Sequence, residues 1–370
     1  MSIRQVETSG VFQISSSFKP LLRWVFPFVS ALVLSAGGAT ALAKTQGDVP
    51  ATPAIDGNVS AATPCRGRDL IPELVRSGRY AAMEEAAAGI ANGRGKLYRI
   101  EHEGIAASTL FGTMHLSDKR LAPGPRARAE FRAAETLVIE TTESLDPAAT
   151  TAALLARPDL LYLPQGQTMG DRLTAPQAAA VAEGLERRGV PPASVETLQP
   201  WFLAVSLMLP ACETQRLARR ERPLDLALAA LAKAEGKPVL GLESGAEQLE
   251  ALASMSMDLQ VSSLLSTLAL GDRLPDLFET MTLLYLGGRI ALIAPLAEAI
   301  LPPDSTAAAR DAAAFEKRLV TDRNHLMAER LEPLLQRGGA FVAVGALHLP
   351  GDEGLVALLR AKGYRLTRLD

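Results

Sequence analysis

Four histidines and two cysteines in 370 residues leave few groups that can ligate a metal or attack a bond. There is no Cys-x-x-Cys, no Gly-x-Ser-x-Gly and no phosphate loop, so redox-dithiol, serine-hydrolase and nucleotide-binding readings have nothing to rest on. Charge of one sign is also scarce: the formal net charge is −3, with no basic excess to hold nucleic acid. No repeat of fixed period appears. One long uncharged run exists, from Trp24 to Ala43, preceded by Lys19 and Arg23 and ending in Ala41-Leu42-Ala43. This pattern reads as a secretory signal in residues 1–43, cleaved before Lys44. A retained membrane anchor is the competing reading, weakened because Pro27, Gly37 and Gly38 shorten the apolar core.

Cleavage leaves 327 residues with a net charge of −5, a mildly acidic periplasmic or exported protein. Residues 44–64 contain almost no large apolar side chain and read as a disordered linker. In an oxidising compartment the even cysteine count permits one disulfide, Cys65 to Cys212.

From Cys65 onward the pattern is that of an α/β domain. A helix is expected over Asp69–Ala91, then a hairpin of Lys96–Glu101 and Ala107–Gly112 around Glu103-Gly104. The helix opened by Pro123 and Pro125 and the strand Thr136–Thr141 complete a β-α-β unit, so parallel strands with a right-handed crossover are expected. Helix Leu224–Glu235 feeds strand Pro238–Leu242. Helix Thr306–Gln336 feeds strand Ala340–Val344, followed by helix Gly351–Gly363 and strand Tyr364–Leu369. The stretches 147–222 and 245–301 have helical spacing and no strand signal; they are expected as helical insertions forming a cap or lid. The whole is a mixed, largely parallel sheet flanked by helices.

Within that frame one pattern recurs. Gly112-Thr113-Met114-His115 and Gly345-Ala346-Leu347-His348 each close an apolar strand with a histidine, 233 residues apart. In an open α/β sheet, ligands bind at the carboxyl ends of parallel strands. Glu140 and Glu243 also fall at strand ends, and the β-α-β logic predicts His115 and Glu140 side by side. Two imidazoles with one or two carboxylates make a ligand set for a divalent ion that keeps a position open for water. Such a set does not separate zinc from manganese, cobalt or iron. On a helical wheel Arg323 lies inside the apolar arc of Phe315, Leu319, Leu326, Leu334 and Met327, and a guanidinium facing the core needs an anionic partner. Gly112 and Gly345 permit close backbone approach to an ion or substrate. Asp118, Asp352 and Glu353 are candidates to orient the imidazoles, or else helix caps. His325 is expected to face solvent, and His102 to have no role.

These pieces resemble the TraB/GumN family, which is similar to the Tiki-type metalloproteases. The resemblance rests on Leu110-Phe111-Gly112-Thr113-Met114-His115, Leu137-Val138-Ile139-Glu140, Gly241-Leu242-Glu243 with Glu247-Gln248-Leu249, Arg323-Asn324, and Ala343 through Gly351. It implies an α/β fold with one site formed by paired Gly-x-x-His motifs, a glutamate and an arginine, and divalent-metal-dependent peptide cleavage in the Tiki branch. Those roles fall on His115, Glu140, Arg323 and His348, with Glu243 a further candidate. The helix-opening motif departs from the family pattern, with Pro223-Leu224-Asp225 where a glycine before the aspartate is expected. The expected function is a metal-dependent hydrolase acting on a peptide or small molecule, in which a carboxylate accepts a proton from water and Arg323 stabilises an oxyanion. The rival is a non-catalytic protein that captures a metal, haem or peptide in the same pocket.

Overall fold

The computed structural model describes residues 66–146, 152, 154–300, 313–314 and 316–370. The signal, the linker and Cys65 lie outside the described residues, and with Cys65 the expected pairing to Cys212.

Six strands form one sheet: β1 Leu97–His102, β2 Ile105–Thr113, β3 Thr136–Ile139, β4 Val239–Gly241, β5 Ala340–Gly345 and β6 Arg365–Arg368, in the order β4-β3-β5-β2-β1-β6. β4, β3, β5 and β2 are mutually parallel, while β1 runs antiparallel to both β2 and β6. All four parallel strands therefore deliver their carboxyl ends to one edge. The β1–β2 hairpin turns at Gly104, whose φ of 74° explains the Glu-Gly turn.

β5 alternates strictly. Phe341 and Ala343 pack with Phe111, Leu137 and Phe131 on one face, covered by the helices Pro125–Ala133, Leu224–Ala234 and Leu274–Leu286. Val342 and Val344 pack with Leu110, Val138, Met327 and Leu331 on the other, beneath the helices Asp322–Leu335 and Leu355–Ala361. Covering both faces is what an all-apolar parallel strand requires.

Among the described residues the two insertions are helical, as expected, with a single isolated bridge between Tyr162 and Leu198. Three expectations need correction. The first helix is two, Ile71–Arg76 and Arg79–Ala88, because Gly78 adopts φ 73° between them. The last helix is shorter than Gly351–Gly363, spanning Leu355–Ala361. The long helix before β5 contains a π-helical turn at Lys317–Thr321 before continuing as Asp322–Leu335. Such turns often sit at functional positions, and this one ends two residues before Arg323.

Candidate active site

β5 lies between β2 and β3, so His115 and Glu140 are not on neighbouring strands as the β-α-β reading expected. Their side chains meet nonetheless, with His115 Nε2 3.5 Å from Glu140 Oε1. The reason is Gly345, at the end of the intervening strand. A Cβ there would stand 3.2 Å from Glu140 Oε1, 3.4 Å from His115 Nε2 and 3.4 Å from His348 Cδ2, in the middle of the cluster. Gly112 has the reciprocal task. A Cβ on it would come within 2.9 Å of Ala346 Cα, in the short 3-10 turn that carries His348. Each glycine of the paired motif thus makes room for the other motif.

Five residues singled out from the sequence converge at this edge, all buried: His115, Glu140, Glu243, Arg323 and His348. Arg323 is their hub. Its Nε donates to Glu243 Oε1 at 2.8 Å, and its Nη2 donates to Glu140 Oε2 at 2.8 Å and Glu243 Oε2 at 2.5 Å. Nη1 donates to the Leu319 carbonyl and to His348 Nε2, both at 3.1 Å. The Leu319 carbonyl belongs to the π-helical turn. All five guanidinium N–H groups are therefore engaged.

The carboxylates differ. Burial raises the pKa of Glu140, but Arg323 and His115 outweigh it and hold the group well below the usual range; the Gly345 N–H also donates to its Oε1 at 2.6 Å. Burial dominates at Glu243 and pushes its pKa up in spite of Arg323. Gln248 bridges the two, donating to Glu140 Oε2 at 3.3 Å and Glu243 Oε2 at 3.4 Å.

The imidazoles differ as well. His348 Nδ1 is 2.7 Å from Asn324 Oδ1, whose Nδ2 donates to the Glu353 carbonyl at 2.8 Å. That chain assigns the proton to Nδ1 and leaves Nε2 to accept from Arg323. Burial and the adjacent guanidinium lower the His348 pKa to about 3, so the ring is neutral. His115 is opposite in character. Burial lowers its pKa, yet Asp225, with Nδ1 to Oδ1 at 3.1 Å, and Glu140 raise it to about 10. The Asp225 contact is close enough to pair by charge but is not aligned as a hydrogen bond, and both ring nitrogens of His115 lack hydrogen-bond partners among the described residues.

Sequence reasoning passed over Asp225, Gln248 and Asn324. Each stands inside a quoted motif, as the third residue of Pro223-Leu224-Asp225, beside Glu247 and beside Arg323, so the signal was present. Leu224 in place of glycine leaves Asp225 on the first turn of its helix, facing His115. Asp118 does not orient His115: it caps the turn Lys119–Leu121 and pairs with Arg120. Glu353 supports His348 only through its carbonyl, while its side chain pairs with the exposed His325 at 3.2 Å. Asp352 is exposed, and His102 packs edge-on against Tyr364.

As a ligand set the cluster is incomplete. Among the described residues no three His, Cys, Asp or Glu side chains stand where they could hold a metal ion. Arg323 occupies His348 Nε2, Glu140 Oε2 and both oxygens of Glu243. The residues still suit a divalent ion in kind. His115 Nε2 is a buried donor with no partner, beside a carboxylate held ionised. In charge, the three carboxylates Glu140, Glu243 and Asp225 are set against the Arg323 guanidinium and the His115 imidazolium, an excess of one negative charge, and burying uncompensated charge is costly.

Fold and site together define an α/β protein with a buried His-Glu-Arg cluster at the carboxyl edge of its parallel strands. The chain belongs to the TraB/PrgY/gumN family, whose model matches residues 96–368. It is similar to the uncharacterized protein YbaP of Shigella flexneri, 27% identical over 255 residues that cover 68% of this chain and 88% of that protein. The protein of the same name from Escherichia coli (strain K12) is 27% identical over 253 residues, covering 68% and 87%. No solved structure matches.

Proposed function

We propose that this protein is an exported, periplasmic metal-dependent hydrolase, with peptides as its first candidate substrates. The observation that carries the reading is His115: a buried imidazole with both nitrogens unbonded, between Asp225 and Glu140, in a cluster with an excess of carboxylates. His115 and Glu140 would hold the ion, and His348 Nε2 joins them once Arg323 Nη1 leaves it. This donor set does not separate zinc from manganese, cobalt or iron. When bound, such an ion supplies Lewis acidity and lowers the pKa of a water toward neutrality. The ion in place of the His115 proton, together with Arg323, balances the three carboxylates.

The chain's own residues divide the remaining work. Asp225 faces His115 Nδ1 as its charge partner, and Asn324 holds His348 in the Nδ1–H tautomer that presents Nε2. Glu140 stays ionised and serves as ligand. Glu243, the carboxylate with the higher proton affinity, is the proton acceptor. Arg323 must give up one of its five bonds before it can stabilise an oxyanion, so substrate entry and release of Arg323 are coupled.

The same saturation of Arg323 favours a second reading, in which the pocket binds without turnover. Two measurements separate them. Elemental analysis of purified protein should find about one divalent ion per chain, lost in His115→Ala. Metal-loaded protein should cleave members of a peptide library, with cleavage abolished in His115→Ala and Glu243→Gln. Metal without turnover supports the binding protein, and equal metal content in wild type and variant ends both metal readings.

The export reading rests on the sequence of residues 1–43. No helix among the described residues is long and apolar enough to cross a membrane.

A further inference from the structure

At the β1–β6 end of the sheet, a cavity of about 610 Å³ is lined by Arg94, Arg289, Arg360 and Arg368 around Tyr98, with Glu84 the one acid in the lining. Its volume lies in the range of small-molecule sites. Four guanidiniums against one carboxylate give the wall a charge of +3 on a chain whose net charge is −3.

None of the four arginines forms an ion pair among the described residues. Arg360 spends its N–H groups on neutral oxygens, donating to Asn92 Oδ1 at 2.8 Å and the Leu366 carbonyl at 2.9 Å. Arg289 donates to the Tyr80 hydroxyl at 3.1 Å. Asp370, whose field also reaches Tyr98, is taken by the backbone N–H groups of Lys96 and Leu97 and by the Lys96 ammonium.

The frame of this cavity is built rather than incidental. The loop Asn92-Gly93-Arg94-Gly95 is pinned by Ala291 N–H to the Gly93 carbonyl at 2.9 Å, Gly95 N–H to the Gly288 carbonyl at 2.8 Å and the Tyr98 hydroxyl to the Arg94 carbonyl at 2.8 Å. Asn92 and Gly95 hold positive φ of 55° and 82°. A Cβ on Gly93 would stand 2.6 Å from Ala291 Cβ, so glycine is what lets the loop close against that wall. Guanidiniums gathered without acidic partners hold planar or tetrahedral oxyanions by bidentate bonds.

We propose that this cavity is a binding site for a small polyanion, a phosphate ester or a polycarboxylate, distinct from the histidine cluster. Its placement gives it a use. β1 is antiparallel to β2, so its first residue, Leu97, is in register with Phe111 near the end of β2. The cavity's lining at Arg94 and Tyr98 thus lies toward the sheet edge that bears His115. It shares Ile90 and Ala291 with a second cavity of about 310 Å³ that reaches Asn324 and Leu347, next to His348. A ligand anchored by its charged end on the arginines can extend along that shared wall toward the cluster.

Isothermal titration of the purified protein at low salt, with sodium pyrophosphate and with citrate in separate arms, tests this. Arg94→Gln/Arg368→Gln removes two exposed guanidiniums that make no side-chain hydrogen bond among the described residues, so the fold is retained. Binding by wild type that weakens with added salt and falls at least about tenfold in this variant supports the site. The arm that binds names the chemistry, phosphate or carboxylate. Affinity must also survive in His115→Ala, since both probes chelate metals. No binding of either probe at ~10 mM, an unchanged affinity in the double arginine variant, or loss in His115→Ala overturns the proposal.

Discussion

Replacing Arg323 by leucine leaves Glu140 and Glu243 buried without the cation that both oxygens of Glu243 and one of Glu140 contact at 2.5 to 3.1 Å. Removing one partner of a buried ion pair costs about 3 to 5 kcal/mol, because the surviving charge is stranded. Summing the individual bonds, at roughly 1.5 to 3 kcal/mol each for charged groups, would double count one desolvation event, so the smaller figure is used. With a slope of roughly 2 to 4 °C per kcal/mol the melting temperature falls by about 10 °C. The loss depends on pH. Glu140 has a depressed folded-state pKa, so its contribution is present above its ordinary value of 4.5 and vanishes as pH falls through the folded value. The gap between wild type and variant should therefore narrow at acid pH. Urea unfolding at pH 7 and near pH 4, with metal chelated, measures both quantities. Glu243→Leu combined with Arg323→Leu should cost at least about 1 kcal/mol less than the two single changes added together. A single-variant loss below about 1 kcal/mol, or strict additivity, would refute the view of Arg323 as the internal counter-cation.

Gly112→Ala should destabilise by about 1 to 3 kcal/mol, since the new methyl meets the Ala346 backbone at 2.9 Å rather than a flexible side chain; thermal unfolding reads it, and a neutral result would mean the His348 turn can move. In metal-free protein the His115 proton stabilises the fold below pH 6.5 and that stability is lost as pH rises through about 10. Asp225→Asn should lower the His115 pKa, measured by imidazole NMR titration. Cys65 and Cys212 should resist thiol labelling under denaturing, non-reducing conditions, and full labelling of both excludes a bridge. Amino-terminal sequencing of the exported form should begin at Lys44, whereas an intact Trp24–Ala43 segment on membrane-bound protein means an anchor.

Short apolar runs closed by glycine were enough to place β2 and β5 and the two histidines at their ends, because run length and turn chemistry are local. Helical spacing marked both insertions, and the apolar arc around Arg323 put it toward the core, since one wheel records both. What the chain alone could not order was the sheet. That β5 enters between β2 and β3 depends on packing among segments two hundred residues apart, and no local pattern encodes it. Only that insertion shows why Gly345 must lack a side chain: across a strand it separates His115 from Glu140, and its missing Cβ is the space in which they meet. Asp225, Asn324 and Gln248 were legible as motif members, but their partners were not, because a hydrogen bond between distant residues is decided by where tertiary packing sets each backbone. The charge balance follows the same division. Composition supplies the carboxylates and the arginine, and tertiary placement separates Glu140 from Glu243 and His115 from His348, by fixing which charged group each buried side chain faces.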